Sequence, residues 1–283
     1  MNLDSMRNRM LNIILGSKKR IVHIAFKTNN RTFGISIPDD QYWGSVKDVL
    51  LNRVYEFDVE FELKNFNGLV VDAGAHVGLF SLVSSTFARE VISIEPDTSN
   101  YCLLKKNFER NKIRNALALN KALSGKKNRS LKLYKGADSG CNSIVGCKNR
   151  SFELTQSITL QQIIERFGKI DLLKMDIEGA EFEVIDSVEE DNLGKISSIV
   201  GELHLNDGNL HTFLKRLDAS GFIVSIFRLP IYKKEWTYSI EVQGLYRLKF
   251  LHKIFHYIFS IIRIKEKNLL IFFAKQKKNN STS

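Results

Sequence analysis

The chain is poor in cysteine and proline, and no apolar run in it is long. Its three cysteines, Cys102, Cys141 and Cys147, are an odd number in a chain of 283 residues. That argues against a disulfide framework and makes a reducing cytoplasm the expected compartment. Cys141 and Cys147 have no Cys or His partner at zinc-like spacing, so no metal is expected. No stretch approaches the length that crosses a membrane, about 20 apolar residues. The N-terminal apolar run, Leu11 to Leu15, is too short for a signal peptide. The three prolines, Pro38, Pro96 and Pro230, are scattered and mark no proline-rich linker.

Charge is present but unevenly spread. Lys and Arg exceed Asp and Glu by 11 overall. Residues 1–64 carry 10 basic against 8 acidic side chains, residues 65–227 carry 20 against 20, and residues 228–278 carry 12 against 3. This excludes a global nucleic-acid field and points to a local basic patch near the C-terminus.

Two strand-like runs, Ile21–Lys27 and Thr32–Ile37, precede a helical pattern over Gln41–Arg53. Residues 1–64 are read as a cap on the domain 65–283. From Gly68 strands and helices alternate. Strands are expected at Leu69–Ala73, Glu90–Glu95, Leu117–Leu123, Ile170–Asp176, Ile196–His204, Phe222–Phe227 and Leu269–Lys275, with an edge strand at Leu131–Tyr134. Helices are expected at Val77–Ala88, Thr98–Asn111, Leu160–Phe167, Ala180–Val188 and Leu210–Ser220. Such alternation predicts an α/β fold, a doubly wound, mostly parallel sheet that binds ligands at its strands' carboxyl ends. An insertion at 228–268 interrupts it. Within that insertion, 245–267 reads as a basic amphipathic helix with Leu248, Leu251, Phe255, Ile258 and Ile262 on one stripe. It packs on the domain or in a homodimer, or else lies on an anionic membrane surface as a peripheral contact.

The first strand runs into VVDAGAHVG. Gly74 and Gly78 let backbone pass close to a ligand. A dinucleotide loop would read G-x-G-x-x-G and face a pyrophosphate. Here Asp72 stands where phosphate would not tolerate it. That disfavours a nicotinamide oxidoreductase and favours a cationic cofactor without phosphate, such as S-adenosylmethionine. Glu95, ending the next strand in SIEPD, lies where an acid accepts from ribose hydroxyls. In DLLKMDIEGAE, Lys174 and Asp176 share one face near a strand end. They pair with each other or with Glu178 or Glu181; a brace for the strand end and a role beside the cofactor are both open for Lys174. Glu202 and His204 share a face in GELHL. Either is the right kind of group to take a proton from a hydroxyl, and Asp176, Glu202 and His204 could instead hold a divalent cation.

The ordered set VVDAGAHVGLFSL, ISIEPD, ALALNKALS, IDLLKMDIEGAEFEVI and IVGELH, over about Leu69–Phe227, resembles the FkbM family of S-adenosylmethionine-dependent methyltransferases. The resemblance implies a class I, Rossmann-like fold with seven strands, the last antiparallel. It implies cofactor contacts from Asp72, Ala73, Gly74, His76 and Gly78, with Glu95 and Pro96 on the ribose side. It places Asn120, Lys121 and Ala122 near the adenine, and Asn142 and Ser143 near the site. His76 stands where the family usually has asparagine. The implied activity is methylation of a hydroxyl on a sugar, glycan or natural product, with Asp176, Glu202, His204 and Lys174 as catalytic candidates. An RNA ribose methyltransferase using the basic C-terminal region is the nearest alternative. Base N-methylation is disfavoured because no Pro-Pro pair follows the fourth strand. A partner-binding or membrane-surface protein with a cofactor-binding domain is the alternative from another class.

Overall fold

A computed structural model describes residues 21–28, 31–39, 46–51, 53–56, 61–136, 139–146, 150–228, 239–242 and 269–277. The Leu69–Ala73 run forms β3, buried at every position, as an apolar run flanked by turn residues should be. It lies in a seven-stranded sheet with β4 (Glu90–Ile94), β5 (Ala116–Leu119), β9 (Leu172–Met175), β10 (Ser198–His204), β11 (Phe222–Arg228) and β13 (Leu269–Gln276). The order is β11-β13-β10-β9-β3-β4-β5. Only β13 runs against its neighbours. The order reverses between β3 and β9, where open α/β sheets form their ligand crevice.

Alternation along the strands divides the core between two faces. Val70 points to the face covered by β1 (Ile21–Thr28), β2 (Arg31–Pro38), α1 (Leu79–Ser84) and α2 (Thr98–Arg110). Val71 points to the face covered by α3 (Leu160–Phe167), α4 (Glu181–Ser187), α5 (Glu190–Leu193) and α6 (Leu210–Ala219). Each fully buried Leu, Ile or Phe on these faces is worth roughly 1.5–3 kcal/mol. Helix starts follow side-chain caps. Asp97 accepts from Asn100 N at 2.8 Å, Thr159 and Gln162 form a capping box, and Asn209 accepts from Thr212 N.

The N-terminal strands are bound to the glycine-loop side of this core. Buried Asn107 of α2 accepts from Ser36 N at 2.8 Å and donates to Ser36 O at 3.0 Å and Val77 O at 2.8 Å. One side chain thus joins β2, α2 and the loop after β3. Val54–Glu56 forms a buried 3-10 turn on the same face.

Some expectations shift. The Leu117–Leu123 run splits, because Asn120 turns back to donate to Glu95 O and Pro96 O. Its second half, β6 (Ala122–Leu123), joins β7 (Ser130–Tyr134) and β8 (Phe152–Ile158) in a separate three-stranded sheet. Of the Gln41–Arg53 helix, residues 46–51 form a single turn, Arg53 has a left-handed backbone (φ 48°), and 41–45 lie outside the described residues. In the insertion, β12 (Ser239–Val242) pairs antiparallel with β1; the 245–267 segment lies outside the described residues. The insertion leaves and rejoins the sheet at one rim, since Arg228 pairs with Leu270 and Leu269 with His204. That rim is the carboxyl edge of the parallel strands. No helix among the described residues is long and apolar enough to cross a membrane.

Candidate active site

The glycine loop is held from below by a buried ion pair. Asp72 and Lys174 are register partners on β3 and β9, which puts their side chains together. Lys174 Nζ lies 3.3 Å from Asp72 Oδ1 and 3.8 Å from Asp176 Oδ2, and donates to Gly74 O at 2.8 Å. Asp72 is fully buried, and its other oxygen accepts from Ser81 Oγ at 2.6 Å. Oδ1 makes no well-directed hydrogen bond, so its contact with Lys174 is mainly charge against charge. Burial disfavours the lysine's charge, but Asp72 and Asp176 outweigh it and hold the ammonium above its ordinary range. Lys174 therefore braces the loop and Asp72 together. Of the partners considered from the sequence, it pairs with Asp176.

The glycines serve close approaches within the chain. A Cβ on Gly74 (φ +74°) would stand 1.7 Å from Asp176 O, and one on Gly78 (φ +88°) 2.3 Å from Leu104 Cδ1. The loop after β3 can thus lie against the end of β9 and against α2.

Glu95 is buried beside this loop. It accepts from His76 N at 2.7 Å and Asp97 N at 2.9 Å, one bond per oxygen. Burial pushes its pKa up to about 7, and the two backbone donors only partly offset that. Pro96 O and Glu95 O are tied to Asn120; Ala73 and Ala122 are buried, and Lys121 N bonds back to Leu119 O. Asn142 donates to Asp97 Oδ2 at 2.9 Å and accepts from Gly136 N, and Ser143 Oγ donates to Glu178 O at 2.5 Å. The His76 ring lies 3.3 Å from Ser139 Oγ. The 139–143 segment thus spans from the Glu95–Asp97 turn to the loop after β9.

Asp176 and Glu202 meet at the ends of the adjacent strands β9 and β10. Tyr55 joins them: its hydroxyl donates to Asp176 Oδ2 at 2.9 Å and lies 3.5 Å from Glu202 Oε1. Burial, with Asp176, Asp48 and Glu178 nearby, raises Glu202 well above the carboxylate range; His204 opposes this. His204 itself turns the other way, with Nδ1 3.1 Å from Glu181 Oε1 and Nε2 3.5 Å from Glu178 Oε2. Burial opposes its charge, yet Glu181 and Glu178, with Asp176, raise it to about 10. At neutral pH the ring is an imidazolium. Buried Glu181 also accepts from Ile177 N and Gly179 N, so it organises the DIEGAE turn as well. The residues that sequence reasoning missed are Tyr55, Asp48 and Ser81. None falls at a strand end, and Tyr55 and Asp48 lie in the segment read as a cap. A groove of about 640 Å³ between α4 and α6, floored by Phe182 and Phe213, shares no lining residue with this cluster.

Residues 72–224, more than half the chain, match the model of the methyltransferase FkbM domain. The chain is 21% identical to "Methyltransferase 1" of Beauveria bassiana over 207 residues, covering 64% of this chain and 81% of that one. It is 28% identical to "Methyltransferase sdnD" of Sordaria araneosa over 203 residues, covering 56% and 75%. A solved FkbM methyltransferase from Methylobacillus flagellatus overlays with 17% identity and a TM-score of 0.39, covering 62% of this chain and 43% of that one. The seven-stranded sheet, with its one antiparallel strand and its reversal between β3 and β9, is the Rossmann-like class I methyltransferase fold. On the family match, this chain belongs to the FkbM family of methyltransferases.

Proposed function

We propose that this chain transfers the methyl group of S-adenosylmethionine to a hydroxyl oxygen of a sugar, glycan or small natural product. The observation that carries this reading is the Asp176–Glu202 carboxylate pair beside the glycine loop at the sheet's reversal point.

The residues present suit that cofactor. Glu95 accepts from backbone N–H groups on its two oxygens, with the Asn100 side chain nearby, and keeps lone-pair capacity to accept from a ribose hydroxyl. Lys174, the cation that contacts the loop, is engaged by Asp72, Asp176 and the Gly74 carbonyl, so it is not free to anchor a pyrophosphate. When bound, S-adenosylmethionine supplies an electrophilic methyl group on a positive sulfur. The chain's own task is then to orient the hydroxyl and remove its proton.

A hydroxyl is a poor nucleophile until its proton leaves, so a base of raised pKa is needed at the oxygen. Glu202 fits best: it is partly exposed, has no ion pair with a cation among the described residues, and is made more basic by its surroundings. It takes the proton as the oxygen attacks. Asp176 remains the anion fixed by Tyr55 and Lys174. His204, held as an imidazolium, is not the base; it neutralises Glu181 and Glu178 beneath the site. The basic insertion leaves and returns at the same rim, which favours an acceptor that carries negative charge, such as a lipid-linked glycan at a membrane surface.

The test begins with calorimetric titration of S-adenosylhomocysteine, with NADH beside it. Tritiated S-adenosylmethionine is then offered with monosaccharides, glycans, lipid-linked sugars and RNA. Label on a hydroxylated small molecule or glycan, lost in Glu202→Gln with S-adenosylhomocysteine affinity kept, is the expected result. A folded protein that does not bind S-adenosylhomocysteine, or that labels RNA alone, refutes the reading.

A further inference from the structure

Tyr55 lies outside the stretch that matches the family, in the turn Val54–Glu56, yet its hydroxyl reaches the two strand-end carboxylates. The turn is clamped on both sides of it. Arg53 Nε and Nη2 bond the two oxygens of Glu56 at 2.5 and 2.6 Å, and Glu56 Oε1 accepts from Leu63 N at 3.3 Å. The Tyr55 ring is 4% exposed and stands edge-on to Phe80, with centroids 5.6 Å apart and planes at 85°. Lys174 Nζ lies 5.5 Å from its centroid. These contacts hold the phenol, buried, against the two carboxylates.

We propose that Tyr55 is a positioning residue that divides the labour between Asp176 and Glu202. This rests on the reading of Glu202 as the base. A phenol has one proton and donates it to one acceptor at a time. Asp176 Oδ2 at 2.9 Å is within ordinary hydrogen-bond range, whereas Glu202 Oε1 at 3.5 Å is at its limit. The donated bond goes to the Asp176 carboxylate. Glu202 receives little of it and stays the better base. Once Glu202 takes the acceptor's proton, the Tyr55 oxygen still has lone pairs to receive a hydrogen bond from it. No bond to Tyr55 is made or broken, and the proton stays on Glu202.

The surroundings agree. Burial, then Asp176, Glu202 and Asp48, hold the phenol well above its usual pKa, so it remains a donor at working pH. The charged groups facing the pair are Lys174 from β9, Asp48 from the N-terminal turn, His204 from β10 and Glu178 from the loop after β9. Lys174, 3.8 Å from Asp176 Oδ2, favours the Asp176 anion by charge. Tyr55 adds the directed bond, 2.9 Å to Asp176 against 3.5 Å to Glu202.

The experiment uses the full chain labelled with ¹³C at aspartate and glutamate carboxyls. Resonances are assigned by their loss in Asp176→Asn and Glu202→Gln. In Tyr55→Phe the Asp176 midpoint is expected to rise by about one unit, a tenfold gain in proton affinity, while that of Glu202 does not rise. S-adenosylhomocysteine affinity should stay within about twofold, since only one oxygen atom is removed. An unmoved Asp176 midpoint in the folded variant overturns the assignment and leaves Tyr55 a core residue with a satisfied hydroxyl. If Tyr55→Phe does not fold, wild-type chain made with 3-fluorotyrosine, a stronger donor, replaces it. The Asp176 midpoint must then fall, and no change overturns the proposal. Retained methyl transfer in Glu202→Gln is a separate failure: it removes the base reading but does not alter the measured Asp176 shift.

Discussion

Cofactor affinity should weaken as the pH falls through neutrality, because Glu95 must be ionised to accept from the ribose. Its two backbone donors occupy one lone pair on each oxygen, and a proton would remove both the charge and a further lone pair. With a folded pKa of about 7, the apparent dissociation constant is multiplied by about 11 at pH 6, about 2 at pH 7 and about 1.1 at pH 8. S-adenosylhomocysteine should therefore bind about tenfold more weakly at pH 6 than at pH 8. The fold itself obeys the opposite sign. A carboxyl whose folded pKa exceeds its unfolded value of 4.5 stabilises the native state while protonated, and that contribution fades as pH rises through about 7. The cofactor thus binds best where the empty site is least content. Calorimetry at pH 6, 7 and 8 on the wild type and Glu95→Gln decides the matter. Any titration of the ligand itself survives in the variant, so the difference between the two belongs to Glu95. A flat wild-type affinity, or the same slope in Glu95→Gln, refutes the reasoning.

Lys174→Met should cost about 3–5 kcal/mol in denaturant unfolding, since it strands the fully buried Asp72 carboxylate without its cation. A loss below about 1 kcal/mol would mean that Ser81 alone satisfies Asp72. Gly74→Ala should cost about 3 kcal/mol or more and abolish S-adenosylhomocysteine binding, because its Cβ would fall 1.7 Å from a backbone oxygen at a left-handed residue. Wild-type melting temperature should fall from pH 7 to pH 10: a His raised to about 10 contributes stability that is complete below its unfolded value of 6.5 and is lost through about 10. His204→Gln should flatten that slope, and an equal slope in the variant counts against the Glu181–His204 pairing.

Fold was legible where polarity follows burial. The strand Leu69–Ala73 is apolar because both faces are covered, and the strand order needs only alternating elements with tight connections. Legibility fails at β8, where the usual polarity is inverted. Phe152 and Leu154 are 48% and 67% exposed, while Thr155 and Ser157 are buried. Ser157 Oγ donates to Lys126 O and accepts from Arg129 N, which satisfies the buried hydroxyl in a way no periodicity reports. The break between β5 and β6 escaped for a similar reason: Asn120 sits inside an apolar run, and its side-chain bonds to the preceding turn end the strand.

At the site, strand alternation brought Lys174, Asp176, Glu202 and His204 to one sheet edge, but it could not pair them. Pairing depends on two things absent from the pattern. The register of β3 against β9 sets Lys174 beside Asp72, a partner distant in sequence, in addition to Asp176. The turn through Glu178 and Gly179, both at positive φ, brings Glu181 back under His204. Each cation is thereby held by carboxylates of the surrounding motif. On the function proposed here that allocation has a chemical consequence. Lys174 and His204, the cations of this cluster, are both kept protonated, and proton removal falls to a carboxylate made basic by burial and by its acidic neighbours. The N-terminal turn then supplies the hydroxyl that separates that carboxylate from Asp176, so the site draws on chain well before the matched region.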